Sequence, residues 1–321
     1  MHPDWGGQPT RSRTRQTLSR MRRQKTKVRC HSRRDLGAGT LPVMDTHVSV
    51  SGIRSLVRTG GHQSASEAVV FVHGNPGSSE DWTDLLSRVG AFARAVALDM
   101  PGYGHADRPR DFAYNVPGYA RHLEGALKEL GITRAHLVLH DFGVPWGLYW
   151  ASEHPRSVAS LTLINCGILP GYRWHKYAQL WRMPVLGELL NAAPRSAFHW
   201  IMNMENPKPL PRAFVDRMFD GANAGTKRAM LALYRATSAR DAGSLDIADK
   251  LRALAPPTLV LWGADDKNLP ASYAPVQAQY FPGAEIHTIE RAGHWPFIDE
   301  PERCAAHIEA FLRRQYAAAA E

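Results

Sequence analysis

Cysteine is scarce in this chain of 321 residues, which has only Cys30, Cys166 and Cys304. An odd number without paired or metal-like spacing excludes a disulfide framework and a zinc-finger-type site. Cys166 closes an apolar run and Cys304 falls in a helical pattern, so both read as packing residues. Long hydrophobic runs are missing too. No stretch approaches the ~18 apolar residues that a membrane-crossing helix needs, and none resembles the apolar part of a secretory leader. A cytoplasmic location is therefore expected. Internal repeats are also absent.

Charge of one sign is lacking where a nucleic-acid binder would need it. The net charge is +9, but residues 1–43 hold eleven Lys/Arg against Asp4 and Asp35, and the other 28 Lys/Arg and 28 Asp/Glu cancel. An electroneutral body argues against nucleic acid as a partner of the folded core. Residues 1–43 have almost no apolar periodicity and cannot bury enough surface to offset their ordering entropy. A basic disordered arm and an organelle-type presequence are two readings of this tail. A misplaced start is the favoured third, because the stretch from Met44 reads as a natural beginning that runs directly into a strand.

What is present is a repeated alternation of strand and helix. Val48 and Val50 alternate with serines, and Ile53–Val57 follows Gly52, which predicts an edge hairpin. Apolar-rich runs at 68–72, 93–98, 137–139, 158–164 and 258–262 predict buried strands, and 285–289 is expected to add a last strand. Helices are expected from about Ser79, over 116–130, after the 137–139 run, between the last two strands, and from about Glu302. Residues 167–254 contain helical patterns and aromatics but no buried strand. The pattern predicts a mostly parallel sheet covered by helices on both faces, built from 44–166 and 255–321, with a helical cap over 167–254.

The stretch Leu139-His140-Asp141-Phe142-Gly143 places one reactive side chain where an apolar strand turns into a helix. This is the nucleophile-elbow arrangement, with aspartate where G-x-S-x-G has serine and Leu139 in place of the first glycine. Gly143 sits where the helix must pass close to the strand. Capping of the following helix is the competing use of Asp141.

Four further motifs accompany it: HGNPGSSEDW (73–82), DMPGYGHADRP (99–109), WGADDKNLP (262–270) and AGHWPFIDEP (292–301). With these five in this order, residues 68–312 resemble the α/β-hydrolase family, and within it the aspartate-nucleophile branch of haloalkane dehalogenases and epoxide hydrolases. The resemblance implies an α/β-hydrolase fold with a cap. It also implies a covalent aspartyl-ester mechanism on a small apolar organic substrate and water, with no metal or organic cofactor. The oligomeric state is left open.

The chemistry such a mechanism needs can be assigned to residues. Asp141 would attack carbon, and the resulting ester must be cleaved by water. His294 is the candidate general base, because imidazole is poised near neutral pH. By the family pattern Asp266 orients it, rather than the adjacent Asp265. The end of the 158–164 strand, an alternative place for that acid, reads Ile164-Asn165-Cys166 and has no carboxylate. The matching oxyanion donors are the backbone N–H groups of Asn75 and Phe142.

For the leaving group, Asn75 has the identity that dehalogenases use for halide. The usual indole after the nucleophile is replaced by Phe142, so a cap tryptophan (Trp174, Trp181 or Trp200) would have to stand in, while Trp146 reads as core. Epoxide chemistry would instead use a cap phenol, with Tyr234 as the candidate acid and Tyr172 or Tyr177 as a second. A hydrolase fold retained as a catalytically inactive binding protein is the remaining alternative.

Overall fold

The computed structural model describes residues 42–317. The expectations for residues 1–43 therefore lie outside the described residues except at Pro42 and Val43, as does Cys30. Eight strands form one sheet: β1 (Met44–Val50), β2 (Ile53–Gly60), β3 (Glu67–Val72), β4 (Ala95–Leu98), β5 (Arg134–His140), β6 (Val158–Ile164), β7 (Thr258–Gly263) and β8 (Glu285–Ile289). Their order is β1-β2-β4-β3-β5-β6-β7-β8. Pairing is antiparallel at β1–β2 and β2–β4 and parallel from β4 to β8. The edge hairpin pairs Val50 with Ile53 across Ser51 and Gly52. Both turn residues have positive φ, 50° and 80°, which suits a two-residue loop between twisted strands.

The strands alternate with α1 (Thr83–Gly90), α2 (Val116–Glu129) and α3 (Gly143–Glu153). Between β6 and β7 the chain runs through α4 (Lys176–Arg182), α5 (Leu186–Asn191), α6 (Arg195–Glu205), α7 (Arg212–Gly221), α8 (Ala224–Ala236), α9 (Ala239–Ala242) and α10 (Ala248–Leu254). After β8 come α11 (Pro296–Asp299) and α12 (Pro301–Ala317). Among the described residues no helix is long and apolar enough to cross a membrane.

Alternation along β3 explains the layers. Val70 and Val72 join a core with Tyr119 of α2 and Trp146 of α3, while Val69 and Phe71 join a second with Leu86 of α1 and Phe311 of α12. A strand buried on both faces needs apolar residues at every position, which is why 68–72 has no polar alternation.

One expected helix does not form. Between β7 and β8 there are only short 3-10 turns, Ala271–Tyr273 and Pro275–Gln279. Pro275 has no N–H to give to a carbonyl four residues back, so an α-helix begun near 271 cannot continue through it. The buried Gln277 side chain then bonds both the N–H and the C=O of Ile168.

The parallel strands point the same way. The residues that directly follow β3, β5, β6, β7 and β8 therefore share one edge, where ligands bind in open α/β sheets.

Candidate active site

Asp141 follows β5 with φ +49°, a left-handed conformation that is strained for a residue with a Cβ. Two glycines make room for it. A Cβ on Gly143 would lie 2.4 Å from the Val72 carbonyl oxygen, and one on Gly74 would lie 2.4 Å from Asp141 Cβ. The carboxylate does not cap α3, which has no side-chain cap. Instead its Oδ1 accepts the Asn75 N–H at 2.7 Å.

Its Oδ2 lies 3.4 Å from His294 Nε2. His294 follows β8, and its Nδ1 donates to Asp266 Oδ2 at 2.8 Å. Asp266 is buried whereas Asp265 is exposed. The other oxygen of Asp266 accepts the N–H groups of Asn268 (2.8 Å) and Leu269 (2.9 Å). The structure thus brings Asp141, His294 and Asp266 together.

Several supporting residues escaped sequence reasoning. Asn165, with φ +47° after β6, donates through Nδ2 to Asp266 Oδ2 at 2.7 Å and to the Gly293 carbonyl at 3.1 Å. His140 donates from Nε2 to the His294 carbonyl at 2.8 Å. Asp299 accepts the Gly293 N–H at 2.8 Å and the Asn206 side-chain amide at 2.8 Å, which ties the His294 loop to the segment after α6. No local pattern announces these partners. His140, Asn165 and Asp299 all stand in stretches that the sequence singles out, but none of them with a role.

Charge follows geometry. Burial pushes the Asp141 carboxyl up, but the hydrogen bond and positive charge of His294 outweigh it and bring it down to about 2. Burial pushes His294 down, but Asp266 and Asp141 lift it to about 10. Burial also works against the charged form of Asp266, and His294 again prevails and lowers it. All three shifts favour an imidazolium between two carboxylates in the resting site. His140 is held down to about 4 by burial and by the His294 charge, so it stays neutral beside that cation.

The loop after β3 is held by His73. Met100 N–H donates to its Nε2 at 3.1 Å, so Nδ1 carries the proton and donates to the Gly74 carbonyl at 2.8 Å. This fixes the Asn75 N–H against Asp141. Among the described residues the Phe142 N–H has no acceptor. It stands at the start of α3, where helix amides are left unpaired.

A cavity of about 140 Å³ opens above the carboxylate, lined by Asn75, Phe142, Trp174, Trp181 and Tyr234 among others. Asn75 Nδ2 donates to the Tyr234 hydroxyl at 3.2 Å. The Tyr234 ring stands edge-on to Phe142 at 5.3 Å and stacks on Trp181 at 4.9 Å. Tyr172 and Tyr177 also line the cavity, Tyr177 with its hydroxyl on Glu205 at 3.1 Å. Trp200 is 64% exposed and is not among the lining residues. Trp146 is core, stacked on Tyr119 at 4.0 Å.

A family model described as alpha/beta hydrolase fold matches residues 67–301. A 2-hydroxymuconate semialdehyde hydrolase of Pseudomonas putida is 30% identical over 79% of this chain and 90% of its own. A 2-hydroxy-6-oxononadienedioate/2-hydroxy-6-oxononatrienedioate hydrolase of Burkholderia vietnamiensis is 29% identical over 78% of this chain and 88% of its own. The haloalkane dehalogenase DbeA of Bradyrhizobium elkani superposes with a TM-score of 0.76 at 21% identity, over 86% of this chain and 99% of that one. At that identity the superposition shows the fold alone. These two sequence relatives are named as hydrolases of other compounds, not for the dehalogenation or epoxide opening that the motifs suggested.

Proposed function

The chain belongs to the α/β-hydrolase family, and we propose that it is a hydrolase working through a covalent ester on Asp141, of the haloalkane dehalogenase type. The observation that carries this reading is the division of labour between the two Asp141 oxygens. Oδ1 rests against the Asn75 N–H and Oδ2 faces His294 Nε2. This geometry supports Oδ1 as the future ester carbonyl oxygen and Oδ2 as the attacking atom.

In the first step Oδ2 bonds to the substrate carbon, and the carbon–halogen bond breaks with its electron pair leaving on the halide. Asn75 Nδ2 and the Tyr234 hydroxyl are the donors available to receive it. In the second step His294 takes a proton from water, and the resulting hydroxide adds to Asp141 Cγ. The charge that develops on Oδ1 meets the N–H groups of Asn75 and Phe142. Collapse expels the alkoxide, which takes up the His294 proton and leaves as the alcohol, and the proton on the new Asp141 carboxyl passes to His294, restoring the carboxylate. Esterification also removes one of the two negative charges that hold a proton on His294. His294 then releases its proton to solvent, so that it becomes a competent base only once there is an ester to hydrolyse.

Epoxide opening is the second reading, and one observation favours it. The Tyr234 oxygen already accepts from Asn75 Nδ2, which leaves its own proton to give to a ring oxygen. An alkoxide leaving group needs that proton and a halide does not. Hydrolysis of the kind named for the sequence relatives fits less well. A carboxylate attacking a carbonyl would form an anhydride, with less driving force than an ester formed at saturated carbon. A binding protein would need none of the three charged groups.

The test is a parallel activity screen on haloalkanes and epoxides, followed by trapping. His294→Gln should accumulate a substrate-sized mass increment on Asp141 in the intact protein, and Asp141→Asn should show neither adduct nor turnover. Turnover by His294→Gln of a confirmed substrate without any adduct would sink the covalent mechanism. No turnover and no adduct on any substrate would favour the binding-protein reading.

A further inference from the structure

The active-site cavity is largely apolar and aromatic, and of the two charged side chains in its lining that the proposed chemistry does not use, Glu205 is paired with Lys176 at 2.7 Å and Lys227 is not paired with a carboxylate among the described residues. Lys227 lines both this cavity and a wider outer cleft of about 390 Å³. Its ammonium lies only over the Phe219 ring, at 5.9 Å. The other cations of the cleft are taken: Arg217 by Asp81 at 2.9 Å, and Arg58 by Asp45 and Glu80 at 4.0 and 3.6 Å. So are the carboxylates of α5 to α7, with Glu188 on Arg235, Glu205 on Lys176, and Asp216 and Asp220 on Arg195.

Its position in the helix makes the isolation more telling. Lys227 is in the first turn of α8, which has no acidic residue to offset it. A cation there opposes the positive end of the helix dipole. The ammonium and the helix end add their fields, and both would be relieved by an anion at the mouth of the cavity. Lys227, Met230 and Tyr234 all line the cavity. Their spacing of three and four residues puts them on one face of α8. Seven residues of helix span ~10 Å, so the lysine stands about that far along the axis from the phenol beside Asn75.

We infer that Lys227 receives the anionic end of the substrate, so that the natural substrates are medium-length carboxylates carrying the reactive carbon at the opposite end. The position of the reactive carbon rests on the Asp141 reading above; the anion site itself does not. Such a substrate adds a charged tail to the small apolar organic body expected from the sequence.

Binding to the full chain separates the two ideas. Calorimetry with octanoate and octanol should show octanoate binding about 10-fold tighter or more, the scale of one charge-assisted contact. Lys227→Met should abolish that preference and leave octanol unchanged, and Lys227→Arg should keep most of it. With 8-bromooctanoate and 1-bromooctane, Lys227→Met should raise KM for the acid alone and leave kcat nearly unchanged. Equal binding of octanoate and octanol by the unaltered protein, or an undiminished preference in Lys227→Met, would overturn the inference. If octanoate binds as described but no brominated or epoxidised acid turns over, the anion site stands and the Asp141 chemistry fails.

Discussion

Asn165 and His294 converge on the same atom: both donate to Asp266 Oδ2, at 2.7 and 2.8 Å. The amide stands at the end of β6, where the sequence offers no carboxylate, and it steadies the one supplied after β7. It also holds the Gly293 carbonyl, one residue before the histidine.

This relationship predicts a ranking. Asp266→Asn should slow hydrolysis of the ester by on the order of 10³–10⁴, the scale for losing the group that orients a catalytic histidine. Asn165→Leu should slow it ~10-fold and lower stability by about 1–3 kcal/mol, because it leaves buried acceptors unmet. Asp265→Asn should change neither. Single-turnover kinetics and thermal melts check all three, and a larger effect at Asp265 than at Asp266 would reassign the acid.

The proton on His294 predicts a pH signature. Its folded pKa is raised to about 10, so its contribution to stability is complete below ~6.5 and is lost as pH rises toward that value. Asp141, lowered to about 2, contributes above ~3.9 and loses this as pH falls. The melting-temperature advantage of the unaltered protein over Asp141→Asn should therefore shrink between pH 7 and 10. In the alkylated enzyme the hydrolysis rate should titrate well below the His294 pKa of the free enzyme. Identical values measured by NMR and by single-turnover kinetics would contradict the charge argument.

A second set of histidines acts with the opposite sign. Burial brings His122 and His175 down to about 4. The unfolded chain takes up these protons near pH 6.5 and the folded chain does not, so stability falls as pH drops from ~6.5 to 4. His122 bonds Ser55 far from the site, at 2.9 Å. His122→Gln should flatten part of the acid-side fall in melting temperature without changing kcat. An unchanged acid limb would mean that His122 titrates normally.

The two glycines around the elbow should separate by phenotype. Gly143→Ala drives a Cβ against the Val72 backbone, which cannot move cheaply. A loss of about 3 kcal/mol or more is expected. Gly74→Ala meets the Asp141 side chain, so folding should survive while alkylation falls ~100-fold, the scale for a misplaced reacting group. Circular-dichroism melts with adduct formation by mass spectrometry distinguish them.

The central strands were readable because burial on both faces demands apolar residues at every position, and the runs at 68–72 and 137–139 meet that demand locally. The elbow at Asp141 was readable for the same kind of reason, since the glycine two residues on marks a close approach of helix to strand. The helix expected between β7 and β8 failed against a single proline. Asn165, His140 and Asp299 were not legible as site residues, because each works through a hydrogen bond to a distant part of the chain.

The sequence by itself determined the sheet and its helical layers, because strand periodicity and turn chemistry act between neighbours in the chain, and its resemblance to the hydrolase motifs pointed to Asp141, His294 and Asp266. Only the tertiary structure decided what surrounds them. Asn165 reaches Asp266 across 101 positions, Asn75 meets Tyr234 across 159, and His140 meets His294 across 154. Such pairings depend on where distant strand ends and helices meet.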